Sequence, residues 1–302
     1  MKIGFGLPVS GSWATREHMA RVAVRAEELG YHSLWSFQRL LSPSDGAWGE
    51  QYRSVHAPLI PLAYAAALTG RIRLGVAVVN LPFVNPAVLA KEVSSLDIVS
   101  GEGGRVDLGL GIGWSDEEFA AVGAAKKGRG PRSDDFIETV KAVWAGDPHQ
   151  GRYYTVPPGV ASDPKPLQRP HPPILLGGGS EATFRRAGRL CDGWVSGSQM
   201  GPEVIGGAVT AIRAAAEEAG RDPSTLRFVA RGAVKVRPAD SSERKPLTGT
   251  VDEILADFDL YEDMGVTELF VDLNFDPEIG SPTADPVASM RRAEQALEAF
   301  AP

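Results

Sequence analysis

Short β-like runs alternate with amphipathic helix-like runs from one end of this chain to the other, and few folds accommodate such a pattern. It predicts a parallel sheet whose crossovers are helices. Strand-like runs fall at residues 2–7, 33–36, 73–79, 106–112, 173–177, 193–196, 227–236 and 267–272. Between the first two, Met19, Val22, Ala23, Ala26 and Leu29 share one helical face, with Gly30 placed to end the helix. Leu89, Val93 and Leu96 do the same for a helix from Pro86 to about Ser100. Ser115 with Glu118 and Thr250 with Glu253 read as capping boxes, Gly265 as a helix stop, and Asp285-Pro286 as an N-cap followed by a first-turn proline. Eight βα units in 302 residues favour a single α/β domain over residues 1–302, a (β/α)8 TIM barrel in preference to an open doubly wound sheet. Residues 146–172 are Pro-rich and too irregular for a βα unit. They read as a lid-like insertion before the fifth strand, running over the barrel mouth.

Composition narrows the function classes. A net charge of −7 without any Lys/Arg run argues against a nucleic-acid surface, because phosphate-backbone binding needs clustered positive charge. No run approaches the ~20 apolar residues of a membrane span. The start, Met1 to Leu7, alternates like a strand and lacks the pattern of a signal peptide, so a cytoplasmic protein is expected. One cysteine, Cys191, excludes an internal disulfide and reads as buried filler. The histidines, His18, His32, His56, His149 and His171, have no metal-ligand spacing, and no metal site is expected.

In such barrels the chemistry sits on loops after the strand ends. After the fifth strand, Gly177, Gly178 and Gly179 lead into a helix capped by Ser180. Glycine lets backbone N–H groups approach an anion, and a helix N-terminus adds donors and a favourable dipole, so this turn suits a cofactor phosphate. The fourth strand ends with Gly109, Gly111, Gly113 and Trp114, leaving one face with little side-chain volume where a flat ring can lie. After the second strand, Gln38, Arg39 and, further on, His56 are candidate hydrogen-bonding partners for a heterocycle or substrate. At the eighth, Asp272 shares a phase with Phe270 and Asn274 and is expected to face the mouth. There is no Gly-x-Gly-x-x-Gly after the first strand, no Gly-Lys-Ser/Thr phosphate loop and no Gly-x-Ser-x-Gly elbow.

Two stretches resemble a known family. Arg71-Ile72-Arg73-Leu74-Gly75 into Asn85-Pro86-Ala87-Val88-Leu89-Ala90-Lys91, then Leu96-Asp97 to Gly113-Trp114, is similar to the central segment of luciferase-like monooxygenases. Pro164-Lys165-Pro166 through Arg169-Pro170-His171-Pro172-Pro173 to the triple glycine, Arg185-Arg186 and Asp192-Gly193-Trp194 resembles the family's second signature. The resemblance implies a barrel whose mouth holds FMN or the deazaflavin F420, often in a homodimer. It also implies a non-prolyl cis peptide at Ala77-Val78, a bulge supporting the cofactor's middle ring with Asn80 just beyond it, and a phosphate on Gly177–Gly179. Two departures matter. Gln38-Arg39 replaces the Asp-His pair of many F420-dependent relatives, so no general acid or base carries over there. Trp114 stands where FMN-dependent members place a phosphate-holding arginine, which favours F420.

The expected activity is an F420-dependent oxidoreductase moving a hydride between the deazaflavin and a small organic substrate, with Gln38, Arg39, His56, Trp114 and Asp272 around substrate and ring. The alternatives are a two-component monooxygenase receiving reduced FMN from a partner reductase and using oxygen, and a non-catalytic flavin-binding barrel.

Overall fold

The structure, a computed structural model, describes residues 1–239 and 244–302. Eight parallel strands close into a barrel in chain order: β1 Lys2–Gly6, β2 Ser33–Ser36, β3 Arg73–Asn80, β4 Val106–Gly111, β5 Ile174–Gly177, β6 Gly193–Val195, β7 Arg227–Gly232 and β8 Glu268–Val271, which pairs back onto β1. Around it run α1 Arg16–Glu28, α2 Leu59–Leu68, α3 Pro86–Val99, α4 Asp116–Ala121, α5 Arg129–Ala145, α6 Glu181–Leu190, α7 Pro202–Glu218, α8 Val251–Asp263 and α9 Pro286–Ala299. The chain is therefore a (β/α)8 TIM barrel. Because every strand points the same way, all eight C-terminal ends open on one face and build a single mouth.

The helices stop and start where local chemistry dictates. Met19, Val22, Ala23 and Ala26 are buried on α1, the Thr250–Glu253 capping box is complete, and Asp285 caps α9 ahead of Pro286. Ser115 does cap α4, accepting from the Glu118 amide at 3.1 Å, but Glu118 does not reciprocate. Its carboxylate reaches across the mouth instead. β7 ends at Gly232; Lys235–Val236, expected to continue it, pairs with Thr248–Gly249 outside the barrel.

Residues 146–172 do not cross the mouth. A hairpin, His149–Gln150 against Thr155–Val156, folds back along α5, where the Asp135 carboxylate accepts from the amides of Tyr153 and Tyr154. The chain then passes to the opposite end of the barrel. There Lys165 Nζ donates to the Val143 carbonyl at 3.0 Å, Asp97 accepts from the amides of Leu167 and Gln168, and the Gln168 side chain donates to the carbonyl of Val106, where β4 begins. The reason is topological: the segment joins the C-terminal end of a helix to the N-terminal end of a strand, and both lie at the barrel's floor.

The barrel interior is layered. At the floor, Asp107 accepts from Arg73 (Nη2, 2.6 Å) and Arg227 (Nη1, 2.6 Å), and Arg227 also reaches Glu268 at 2.9 Å. Burial alone would raise the Asp107 pKa, but the two guanidinium groups outweigh it and hold the carboxyl at about 2. Above them lies an apolar layer in which Trp35 stacks on Phe270 with centroids 5.1 Å apart, among Leu175, Val195 and Val229. Cys191 is fully buried, and burial pushes its thiol up to about 12, so it behaves as packing. Among the described residues no helix is long and apolar enough to cross a membrane.

Candidate active site

At the mouth a cavity of about 360 Å³ is bordered by residues in the C-terminal halves of β3 to β7 and in the loops after β2, β4, β5 and β6. Its seat is β3. The Ala77–Val78 peptide is cis, and the register against β4 shifts between Val76 and Val79, which is the bulge the resemblance implies. Three glycines make room for it. A Cβ on Gly109 would lie 2.0 Å from the Val76 carbonyl oxygen, one on Gly111 2.5 Å from Val78 Cγ2, and one on Gly177 2.8 Å from Val78 Cγ1. The glycine face of β4 is thus filled by β3, and a ring would rest on the bulge, with Val78 beneath it.

One part of the cavity lining has the elements that can hold an anion, a glycine turn leading into a helix N-terminus. Gly177, Gly178 and Gly179 carry β5 into α6, whose N-cap Ser180 accepts from the Thr183 amide at 3.3 Å. Gly178 has φ +130°, and its carbonyl accepts from Trp194 Nε1 at 2.8 Å. Ser198 borders the cavity too, as does Ser196, whose Oγ accepts from the Arg231 amide at 2.9 Å. Arg129, the first residue of α5, borders it as well and makes no ion pair among the described residues. Sequence reasoning did not single out Arg129. It supplies the cation that Trp114 does not, so the tryptophan by itself is no argument against FMN.

The opposite wall is built by two arginines whose partners stand behind them. Arg231 Nε donates to Asp272 at 2.7 Å and Nη1 to the Ala77 carbonyl at 3.2 Å, and its guanidinium packs against the rings of Phe37 and Phe275 at 4.6 and 4.2 Å. Asp272 is therefore not at the surface of the cavity. It is 1% exposed, holds Arg231, and accepts from Asn274 Nδ2 at 2.8 Å. Arg39 Nη1 donates to Glu118 at 2.8 Å, and Glu118 also accepts from the amides of Leu40 and Leu41 at 2.7 and 3.1 Å. Trp48, Tyr52 and Trp114 surround the Arg39 guanidinium at 5.4, 4.9 and 4.6 Å. Burial draws its pKa below the ordinary value, with Glu118 opposing. Gln38 Oε1 accepts from the Asn80 amide at 2.8 Å and so joins β2's loop to the bulge.

Of the residues expected at the site, Gln38, Arg39, Ala77, Val78, Asn80, Gly111, Gly113, Trp114 and Gly177–Gly179 border one cavity. His56 does not. It is exposed, with Nε2 3.0 Å from the Ala14 carbonyl oxygen, because the chain has already turned toward α2. The carboxylates nearest the cavity, Asp272 and Glu118, are both engaged by arginines, so what the walls present is positive or neutral. Such an arrangement stabilises negative charge that develops on a bound ring or substrate. Replacing Glu118 with Gln is expected to cost about 2 kcal/mol, since the buried Arg39 loses its counter-charge. Thermal melts and faster proteolysis within residues 40–49 would report it, and an unchanged melt would show the pair to be dispensable.

The sequence profile of luciferase-like monooxygenases matches residues 5–258. The chain is 29% identical over 214 residues to a putative coenzyme F420-dependent oxidoreductase of Mycobacterium tuberculosis, covering 65% of this chain and 55% of that one. It spans about half the length of the curated relatives it matches. Among solved structures it is similar to the monooxygenase RslO1 of Streptomyces bottropensis, with a TM-score of 0.82 at 25% identity, covering 99% of this chain and 98% of that one. It shares the fold of the oxygenating constituent of 3,6-diketocamphane monooxygenase of Pseudomonas putida, solved with FMN, with a TM-score of 0.75 at 19% identity over 100% of this chain and 97% of that one.

Proposed function

This chain belongs to the luciferase-like monooxygenase family, and from that premise and the geometry of its mouth we propose that it is an F420-dependent oxidoreductase acting on a small organic substrate. The carrying observation is a basic strip beyond the anion site. Arg129 borders the cavity, Arg132 lies one turn further along α5, and Arg132 and Arg152 both stack on Tyr153 at 5.0 and 5.3 Å. These three arginines make no ion pair among the described residues, in a chain of net charge −7. FMN ends in one phosphate, which the α6 turn and Arg129 would satisfy. F420 continues past its phosphate into a run of carboxylates, and the strip provides for them. The hairpin at residues 149–156, misread from sequence as part of a lid, contributes Arg152 and Tyr153 to this purpose.

When bound, the deazaflavin supplies hydride chemistry at its C5. The chain's part is to seat the ring on the Ala77–Val78 bulge, fix the phosphate at α6, and line the substrate's side with Phe37, Tyr52 and Trp114. Arg39 and Arg231 favour the negative charge that hydride transfer moves between ring and substrate. A second reading, a monooxygenase using reduced FMN and oxygen, is favoured by the likeness to RslO1 along nearly the whole chain. Fluorescence-quenching titrations with both cofactors separate them. F420 is expected to bind more tightly, with an affinity that weakens as salt rises because the exposed strip is screened. Tighter FMN binding with substrate-dependent oxygen uptake would establish the monooxygenase instead.

A further inference from the structure

We propose that Arg231 grips the polar edge of the cofactor's ring and makes the site prefer the reduced cofactor over the oxidised one. The inference rests on the flavin-type reading above but holds for F420 and FMN alike. Sequence reasoning placed Arg231 only inside a strand; the proposed function has it favour the charge that hydride transfer moves, and the inference adds which edge of the ring it meets and which redox state it selects.

The side chain is 9% exposed and borders the cavity beside the bulge. Most of it is committed. Nε is held by Asp272, Nη1 by the Ala77 carbonyl, and the group packs against the Phe37 and Phe275 rings. Nη2 alone has no protein partner among the described residues. A buried guanidinium with one free corner is costly unless something fills that corner when the site is in use. The surroundings also limit where that corner points, because the group is bonded along one edge to Asp272 and the Ala77 carbonyl and packed against Phe37 and Phe275. It is a rigid donor set at the side of the ring's seat.

Both cofactors carry the same acceptor along the pyrimidine edge of the ring, the N1 nitrogen and the C2 carbonyl oxygen. Addition of a hydride, two electrons with one proton, leaves a negative charge spread over that edge. A guanidinium facing it gains more from the reduced ring than from an oxidised ring that carries less charge along that edge. Asp272 moderates this, since it already neutralises part of the Arg231 charge.

Dissociation constants of oxidised and reduced cofactor, measured separately for wild type, Arg231→Gln and Asp272→Asn, test the idea. Arg231→Gln is expected to weaken the reduced form at least ~10-fold more than the oxidised form, equivalent to a fall of about 30 mV in the bound two-electron potential. Asp272→Asn keeps the guanidinium but removes its counter-charge, so the preference for the reduced form should rise; this variant carries the test if Arg231→Gln does not fold. Equal loss for both redox forms in a folded Arg231→Gln protein, or an unmoved ratio in Asp272→Asn, would mean that Arg231 only props the Ala77 carbonyl. Failure of the wild type to bind either cofactor would instead overturn the flavin-type reading, and this one with it.

Discussion

Gly179→Asp is expected to abolish cofactor binding while leaving the barrel as stable as before, or slightly more so. The two effects part because they arise from different neighbours. Gly179 does not need a positive φ, and a Cβ built on it would meet only Met200 Cε, at 2.6 Å, the movable end of a flexible side chain. The new carboxylate would sit at the N-terminus of α6, where a negative charge is favourable in the empty protein. The same place is where a cofactor phosphate must go. Two like charges about 4 Å apart at a partly buried site repel by roughly 4 kcal/mol, on the order of a thousandfold in affinity. The adjacent Gly178 makes a poorer probe. Its φ of +130° is closed to side-chain-bearing residues, and a Cβ would lie 3.2 Å from Thr183, so Gly178→Asp would confuse lost binding with a damaged turn. Fluorescence quenching with a parallel melt decides the matter: unaltered affinity in folded Gly179→Asp protein would show that the glycines serve only the turn.

What could be read from sequence was whatever depends on near neighbours. Strand and helix positions follow from local periodicity, the triple glycine sits directly before its helix, and the Ala77–Val78 bulge lies inside a stretch that resembles family members. The partnerships across the barrel are another matter. Glu118 carries a complete local signature for a capping box, yet its carboxylate is taken by Arg39 and two amides 77 to 79 residues away, and those three donors outweigh the single amide of a cap. Asp272 was placed correctly at the end of its strand, but facing the cavity only through Arg231. A signal for Arg231 did exist: Arg227, Val229 and Arg231 share the inward phase of β7, and a barrel interior rarely accepts two arginines without a use for them. His56 illustrates the reverse. Its chemistry is suitable, but a long loop lets the chain carry it away from the strand end, and no local rule reports how far. The segment at 146–172 was misassigned for want of direction rather than of pattern: its hairpin folds back along α5, and the rest runs to the floor, where a connection from helix to strand must end.

That floor carries the largest expected effect on stability. Asp107→Ala should cost about 3–5 kcal/mol, because it removes one member of a buried pairing and leaves the others uncompensated. Asp107 is fully buried and neutralises both Arg73 and Arg227, whose guanidinium groups would then face each other across the barrel with only Glu268 between them. Neither arginine can escape by losing its proton, so the loss must appear as lower stability. The same pairing sets a pH dependence. Asp107 is held at about 2 in the folded chain, below its ordinary carboxylate value near 4, so its contribution is complete above roughly pH 4 and is lost as the pH falls from there through 2. A depression of about two units corresponds to roughly 2.5 kcal/mol. Denaturant melts from pH 7 to pH 3 should therefore show wild type losing part of its advantage over Asp107→Ala at the acid end. A variant within about 1 kcal/mol of wild type at pH 7, or a gap between the two that does not narrow in acid, would show that the floor is held by packing around Trp35 and Phe270 and not by its charges.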